Sequence, residues 1–161
     1  MDAILVTGYP LPPSENQMYR NVPGVGRVAT KELKEYRKLC AEFEVKNKHI
    51  FDQIRKFLAQ DRALFKHLKV DYFFTFKHER LFTKSGDPKK LDAANRVKAI
   101  QDCFFHSIGI DDKHVFCSMI EKLSGEAESA TIVLSSHTPI TSIELIGLFQ
   151  PVQDGGSLVN N

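Results

Sequence analysis

The chain has no tryptophan, only three cysteines and no long apolar run. Each absence excludes something. Cys40, Cys103 and Cys117 are odd in number and widely spaced, and no C-x-x-C pair occurs. Neither a zinc cage nor a disulfide framework is suggested, and reduced thiols in a cytoplasmic protein are expected. The apolar stretch at residues 3–6 is far too short for the core of a signal peptide. No stretch approaches the ~18 apolar residues of a membrane span. G-x-x-x-x-G-K-[ST] is missing, and Gly24-Val25-Gly26 lacks the strand–loop–helix setting of a nucleotide fingerprint, so a nucleoside triphosphate is not implied. His78-Glu79 does not extend to H-E-x-x-H, and no Ser/His/Asp or Cys/His arrangement stands out.

What is present suffices for one globular domain. The chain has 161 residues, 42% of them apolar, with twelve phenylalanines. Residues 1–150 read as a single domain and 151–161 as a loose, Gly-rich tail. Net charge is only +2, but it is unevenly spread. Residues 31–69 hold 11 Lys/Arg against 6 Asp/Glu, and residues 77–98 hold 7 against 3. Such a basic half can follow a polyanion; the alternative is a solvated helix face.

Residues 3–8 read as a buried strand. Pro10, Pro12, Pro13 and Pro23 argue against regular structure over residues 9–27. Thr30 caps a helix whose apolar residues recur from Leu33 to Leu58, with Asn47 as the candidate break. Residues 70–82 read as a strand and 83–90 as a loop around Gly86-Asp87-Pro88. A second helix is expected over about 92–107. Residues 115–123 and 131–135 suggest a strand pair around Gly125-Glu126, and 141–149 a further strand. The pattern predicts an α/β (α+β) protein, a small mixed sheet with two main helices packed against it.

The stretch Leu91–Asp112 carries the chemistry. At ~100° per residue, Val97, Ile100, Cys103, Phe104 and Ile108 share one helix face, while Asn95, Lys98 and Asp102 group on the opposite side, with Asp92 at the start. Asp111 and Asp112 follow the helix end. Adjacent carboxylates repel unless a positive charge holds them, and Mg²⁺ typically takes one or two protein carboxylates and leaves the rest to water and phosphate. The competing readings are plain. Asp92 is an N-cap, Lys98 and Asp102 are an ordinary i,i+4 pair, and Asp111-Asp112 is a polar turn. His114 is either a ligand or a solvated neighbour of Asp112.

Asp92, Asn95, Lys98, Asp102 and Gly109-x-Asp111-Asp112 resemble the core of the RusA family of Holliday-junction resolvases. Leu11-Pro12-Pro13-Ser14-Glu15-Asn16, followed by Tyr19-Arg20, resembles that family's L-P-P-S-x-N…Y-R opening. Tyr36-Arg37 falls where such proteins have an aromatic-basic pair. The resemblance implies a dimeric endonuclease, dependent on Mg²⁺ (Mn²⁺ substituting), that resolves branched DNA at four-way junctions. By the family's motif, Asp92, Lys98 and Asp112 are the catalytic residues and Asp92, Asp111 and Asp112 the metal ligands. Asn16, Arg20, Lys84, Lys89, Lys90, Asn95 and Arg96 are the expected DNA contacts. One position departs: Ala94 stands where the pattern has a second acid just before Asn. Asp102 and Glu79 are the candidates to replace it. A junction- or single-strand-binding protein with weak or no nuclease activity is the alternative.

Overall fold

The computed structural model describes residues 3–60 and 66–139. The expected strand at 141–149 and the tail at 151–161 lie outside the described residues. Within them the architecture is α+β, as expected: a mixed four-stranded sheet, a separate two-stranded sheet and helices.

The main sheet has strands β1 (Ala3–Tyr9), β4 (Leu68–Lys77), β5 (Val115–Gly125) and β6 (Ser129–Ser136), in the order β1-β6-β4-β5. Strand β4 is its spine. Its even-numbered residues Leu68, Val70, Tyr72, Phe74 and Phe76 are fully buried, the alternation of a strand with one face on the core. Ala130, Ile132 and Leu134 of β6 and Ile4 and Val6 of β1 join the same core.

Strands β5 and β6 do not form the expected hairpin. β6 lies antiparallel between β1 and β4, while β5 runs parallel along the other side of β4. The physical reason is that β4 must satisfy two edges, so its sequence-distant neighbours enclose it. The short link after Gly125 crosses the end of β4, where a side chain would collide. A Cβ on Gly125 would sit 2.6 Å from Thr75 Cγ2.

The helical layer begins at α1 (Lys31–Lys46), capped by Thr30, whose hydroxyl accepts from the Leu33 N–H at 3.2 Å. It stops at Asn47, and α2 (Lys48–Gln60) follows, so the expected break is where Asn47 stands. Aromatic edges then lock four elements together. Tyr9 meets Phe43 at 5.2 Å and Phe104 at 5.5 Å, and Phe51 meets Phe104 at 5.9 Å. Each such contact adds about 0.5–1.5 kcal/mol beyond burial. Phe104 thereby seats the helix at residues 94–108 on β1, α1 and α2.

Two further expectations are corrected. The strand expected over 70–82 ends at Lys77, and His78–Leu81 is one helical turn. Residues 9–27 are not irregular throughout. A 3₁₀ turn (Glu15–Gln17) leads into an antiparallel hairpin of β2 (Tyr19–Val22) and β3 (Gly26–Ala29). Pro23-Gly24 forms the hairpin's turn, with the Val25 N–H donating to the Val22 carbonyl at 3.1 Å. The Pro-Gly punctuation was a turn between strands rather than a loop.

Candidate active site

The crossover from β4 to β5 carries the candidate site. Its first part is the loop 83–90, closed by Thr83, Ser85 and Asp87. The Asp87 N–H donates to Thr83 Oγ1 at 3.1 Å, and the Ser85 hydroxyl donates to Asp87 Oδ2 at 2.6 Å. The loop leaves Lys84, Lys89 and Lys90 exposed. Lys89 is partly engaged, its ammonium donating to the Glu79 carbonyl at 2.7 Å.

Next comes the helix at residues 94–108, which is not uniform. A 3₁₀ turn (Ala94–Arg96) opens it, an α turn follows, and Gln101–Phe105 widen into a π turn before the last α turn. The widened turn brings Phe105, as well as Phe104, into the core. Ile100 and Ile108 are buried as the helix angles require, while Val97 and Cys103 are only partly so.

Asp92 caps the start. Its Oδ1 accepts from the Asn95 N–H at 3.3 Å and its Oδ2 from the Asn95 side-chain amide at 2.7 Å. The carboxylate stays exposed, and Asn95 is half-buried. Ala94 is exposed beside it.

The helix ends in a Schellman turn. The Ile110 N–H donates to the Phe105 carbonyl at 3.0 Å and the Gly109 N–H to the His106 carbonyl at 3.3 Å. Gly109 takes φ +73°, which costs a non-glycine residue about 1–2 kcal/mol. From α2, Arg55 Nε donates to the Ser107 carbonyl at 2.8 Å, placing a cation at the helix C-terminus. Arg55 is held in turn by Asp52 and Glu44.

This turn returns the chain along the helix. Asp111 caps a 3₁₀ turn (Asp112–His114), accepting from the Lys113 N–H at 3.0 Å and facing its ammonium at 3.3 Å. The Lys113 N–H, then its ammonium, hold the Asp111 carboxyl below the usual range. His114 Nδ1 lies 3.2 Å from the Lys66 carbonyl, which only accepts, so that nitrogen is the donor. Asp112 is directed elsewhere. Lys98 Nζ lies 3.4 Å from Asp112 Oδ2 and 3.0 Å from Asp102 Oδ1. One ammonium thus joins two carboxylates, and all three groups reach solvent. The Asp102 contact, followed by Asp112, raises the Lys98 pKa above its ordinary value against the opposing cost of desolvation.

The expected site residues therefore divide. Lys98 and Asp112 meet, with Asp102 beside them. Asp92 makes its contacts with Asn95, and Asp111 with Lys113. Among the described residues, no three His, Cys, Asp or Glu side chains are grouped to hold a metal ion. Asn16 and Arg20 are exposed on the neighbouring turn and hairpin.

Arg96 corrects an expectation. The sequence places it among the DNA contacts, but it is only 7% exposed. Its guanidinium donates to the Pro12 carbonyl and lies 5.2 Å from the centre of the Phe76 ring. Burial pushes its pKa down. It ties the Leu11-Pro12-Pro13 segment to the site helix. Sequence patterning had no signal for this, since a charged residue beside Asn95 and Lys98 reads as surface.

The fold is thus an α+β domain, a small mixed sheet with a helical layer, whose crossover helix and following turn carry exposed acids and a lysine. The chain belongs to the endodeoxyribonuclease RusA family, whose sequence profile matches residues 10–135. A search of curated proteins gives no match. Family membership implies a nuclease that acts on branched DNA. Among the described residues, no helix is long and apolar enough to cross a membrane.

Proposed function

We propose that this protein is a metal-dependent, structure-selective endodeoxyribonuclease that resolves four-way DNA junctions by paired phosphodiester hydrolysis, acting as a homodimer. The observation that carries the reading is the Lys98 ammonium shared between Asp102 and Asp112, in a chain of the RusA family.

The donor set has the right chemistry for Mg²⁺, with Mn²⁺ as its substitute. The acids supply hard oxygen ligands, and two of them converge on one cationic group, while Mg²⁺ asks for only one or two carboxylates beside water and phosphate. Asp92, Asp111 and Asp112 are the ligands the family motif assigns. Asp102 is the acid best placed to stand in for the one missing at Ala94. When bound, the ion neutralises phosphate charge and lowers the pKa of a water molecule.

The chain's own groups do the rest. Lys98, kept protonated by its two carboxylates, stabilises the extra negative charge that develops on the phosphate during attack. Asn95 fixes the Asp92 carboxylate through both oxygens. Lys84, Lys89 and Lys90 on the loop, with Asn16 and Arg20, hold the DNA backbone without reading sequence. A four-way junction has approximate two-fold symmetry, and a C2 dimer sets one site at each of two opposed strands.

Ala94 favours a second reading, a junction-binding protein without cleavage. Incubating the full chain with labelled four-way junction, flap and linear duplex in Mg²⁺ separates the readings. Paired nicks on the junction in preference to the others support the resolvase. Cleavage of all three alike indicates a general nuclease, and binding without cleavage in either metal indicates the second reading.

A further inference from the structure

We infer that the β2–β3 hairpin is a DNA-contacting ribbon that enters a groove of a duplex arm, with Arg20 and Arg27 on the two flanking backbones and Val25 at its leading tip. This rests on the DNA-processing reading above and adds the element that grips an arm.

From Asn16 to Lys31 the chain carries Arg20, Arg27 and Lys31 and no acidic residue. The pairing places these cations on both sides of the ribbon. Arg20 stands opposite Val28, and Asn21 opposite Arg27, so the arginines lie on opposite faces. Two clefts border the hairpin. One, of about 450 Å³, is lined by Arg20, Thr30, Lys31 and Lys34, with Glu32 the acid there. The other, of about 310 Å³, is lined by Asn16, Tyr19, Asn21 and Arg27, with Glu15 the acid there. Cations on both faces suit a ribbon lying between two phosphate backbones, and a two-stranded ribbon matches the width of a major groove.

The hairpin is anchored at its base and free at its tip. Met18 is fully buried, and its carbonyl accepts from the Thr30 N–H at 3.0 Å, tying the start of β2 to the cap of α1. The tip projects Val25, which is 72% exposed. An apolar residue at the end of a basic ribbon has sugars and base edges as its natural contacts. Arg27 is pre-ordered for a phosphate, its guanidinium 4.2 Å from the centre of the Tyr19 ring.

The test measures affinity of the full chain for a fluorescent four-way junction in EDTA, across a salt series, without cleavage. Arg20→Gln and Arg27→Gln are each expected to weaken binding by about 5–10-fold near 0.1 M salt and to lower the salt slope by about one. Val25→Ser is expected to weaken binding about 3-fold with the slope unchanged, since it removes no charge. Circular dichroism checks that each variant is folded. Unchanged affinity and slope in the double arginine variant overturn the inference. So does a change of oligomeric state with the slope intact, which assigns the hairpin to a protein interface. Wild type that binds with the expected arginine dependence but fails to cleave in Mg²⁺ defeats the nuclease reading and leaves the ribbon standing; a cleaving enzyme indifferent to the arginines does the reverse.

Discussion

Lys98 Nζ stands 3.4 Å from Asp112 Oδ2, across fourteen residues of chain that include a Schellman turn. That contact joins the middle of the crossover helix to the turn that follows it. With Asp102 at 3.0 Å on the same ammonium, the geometry makes Lys98 a fixed positive charge rather than a proton acceptor.

Removing that charge should affect rate far more than affinity. Lys98→Ala is expected to lower single-turnover junction cleavage by about 100-fold or more, the usual scale for losing a transition-state donor. Junction affinity should change by less than about 10-fold, one phosphate contact at most. Quench-flow rates beside anisotropy titrations check this. An equal loss in both would make Lys98 a phosphate contact.

The titration behaviour follows from the directions of the shifts. The Lys98 pKa is raised, so its contribution is complete below the unfolded lysine value and is lost only as pH rises through the folded value, which lies above the ordinary lysine one. The Asp111 pKa is lowered, so its contribution is present above the unfolded value and is lost as pH falls through the folded one, which lies below the ordinary carboxylate range. The ratio of wild-type to Lys98→Ala cleavage rates should therefore be constant from about pH 6 to 9. A ratio that falls within that range would mean that Lys98 titrates there.

Arg96 should prove a stability residue. Arg96→Ala leaves the Pro12 carbonyl without its donor and removes the contact with Phe76. The expected loss is about 2–4 kcal/mol, or roughly 5–15 °C in Tm for a chain of this size. Arg96→Lys recovers little, because an ammonium lacks the planar fork. Thermal denaturation of both variants measures it.

Gly109→Ala tests the turn. The left-handed φ should cost about 1–2 kcal/mol in stability. Cleavage should fall further than that loss explains, because the turn sets where Asp111 and Asp112 emerge. A variant less stable but fully active would separate the turn from the site.

Much of this was legible in the sequence, for physical reasons that differ by element. The alternation in β4 and the helical recurrence from Leu33 to Leu58 are periodic signals, and periodicity reports burial directly. The break at Asn47 and the cap at Thr30 are local chemistry. Other features lacked a local signal. Pro and Gly around β2 and β3 look alike in a loop and in a hairpin turn. The insertion of β6 between β1 and β4 depends on which edges of β4 need partners, which adjacency in the chain misstates. Arg96 reads as surface because the Pro12 carbonyl it binds lies 84 residues away. In the site, helix angles grouped Lys98 with Asp102, but could not place Asp112, which lies beyond the helix on the far side of Gly109.

The most direct test of the site is single-turnover cleavage of a labelled four-way junction in Mg²⁺ by wild type and Asp112→Asn, with binding measured in parallel. The account predicts symmetric paired nicks by wild type and their loss in Asp112→Asn with junction affinity retained. Undiminished cleavage by Asp112→Asn would contradict it.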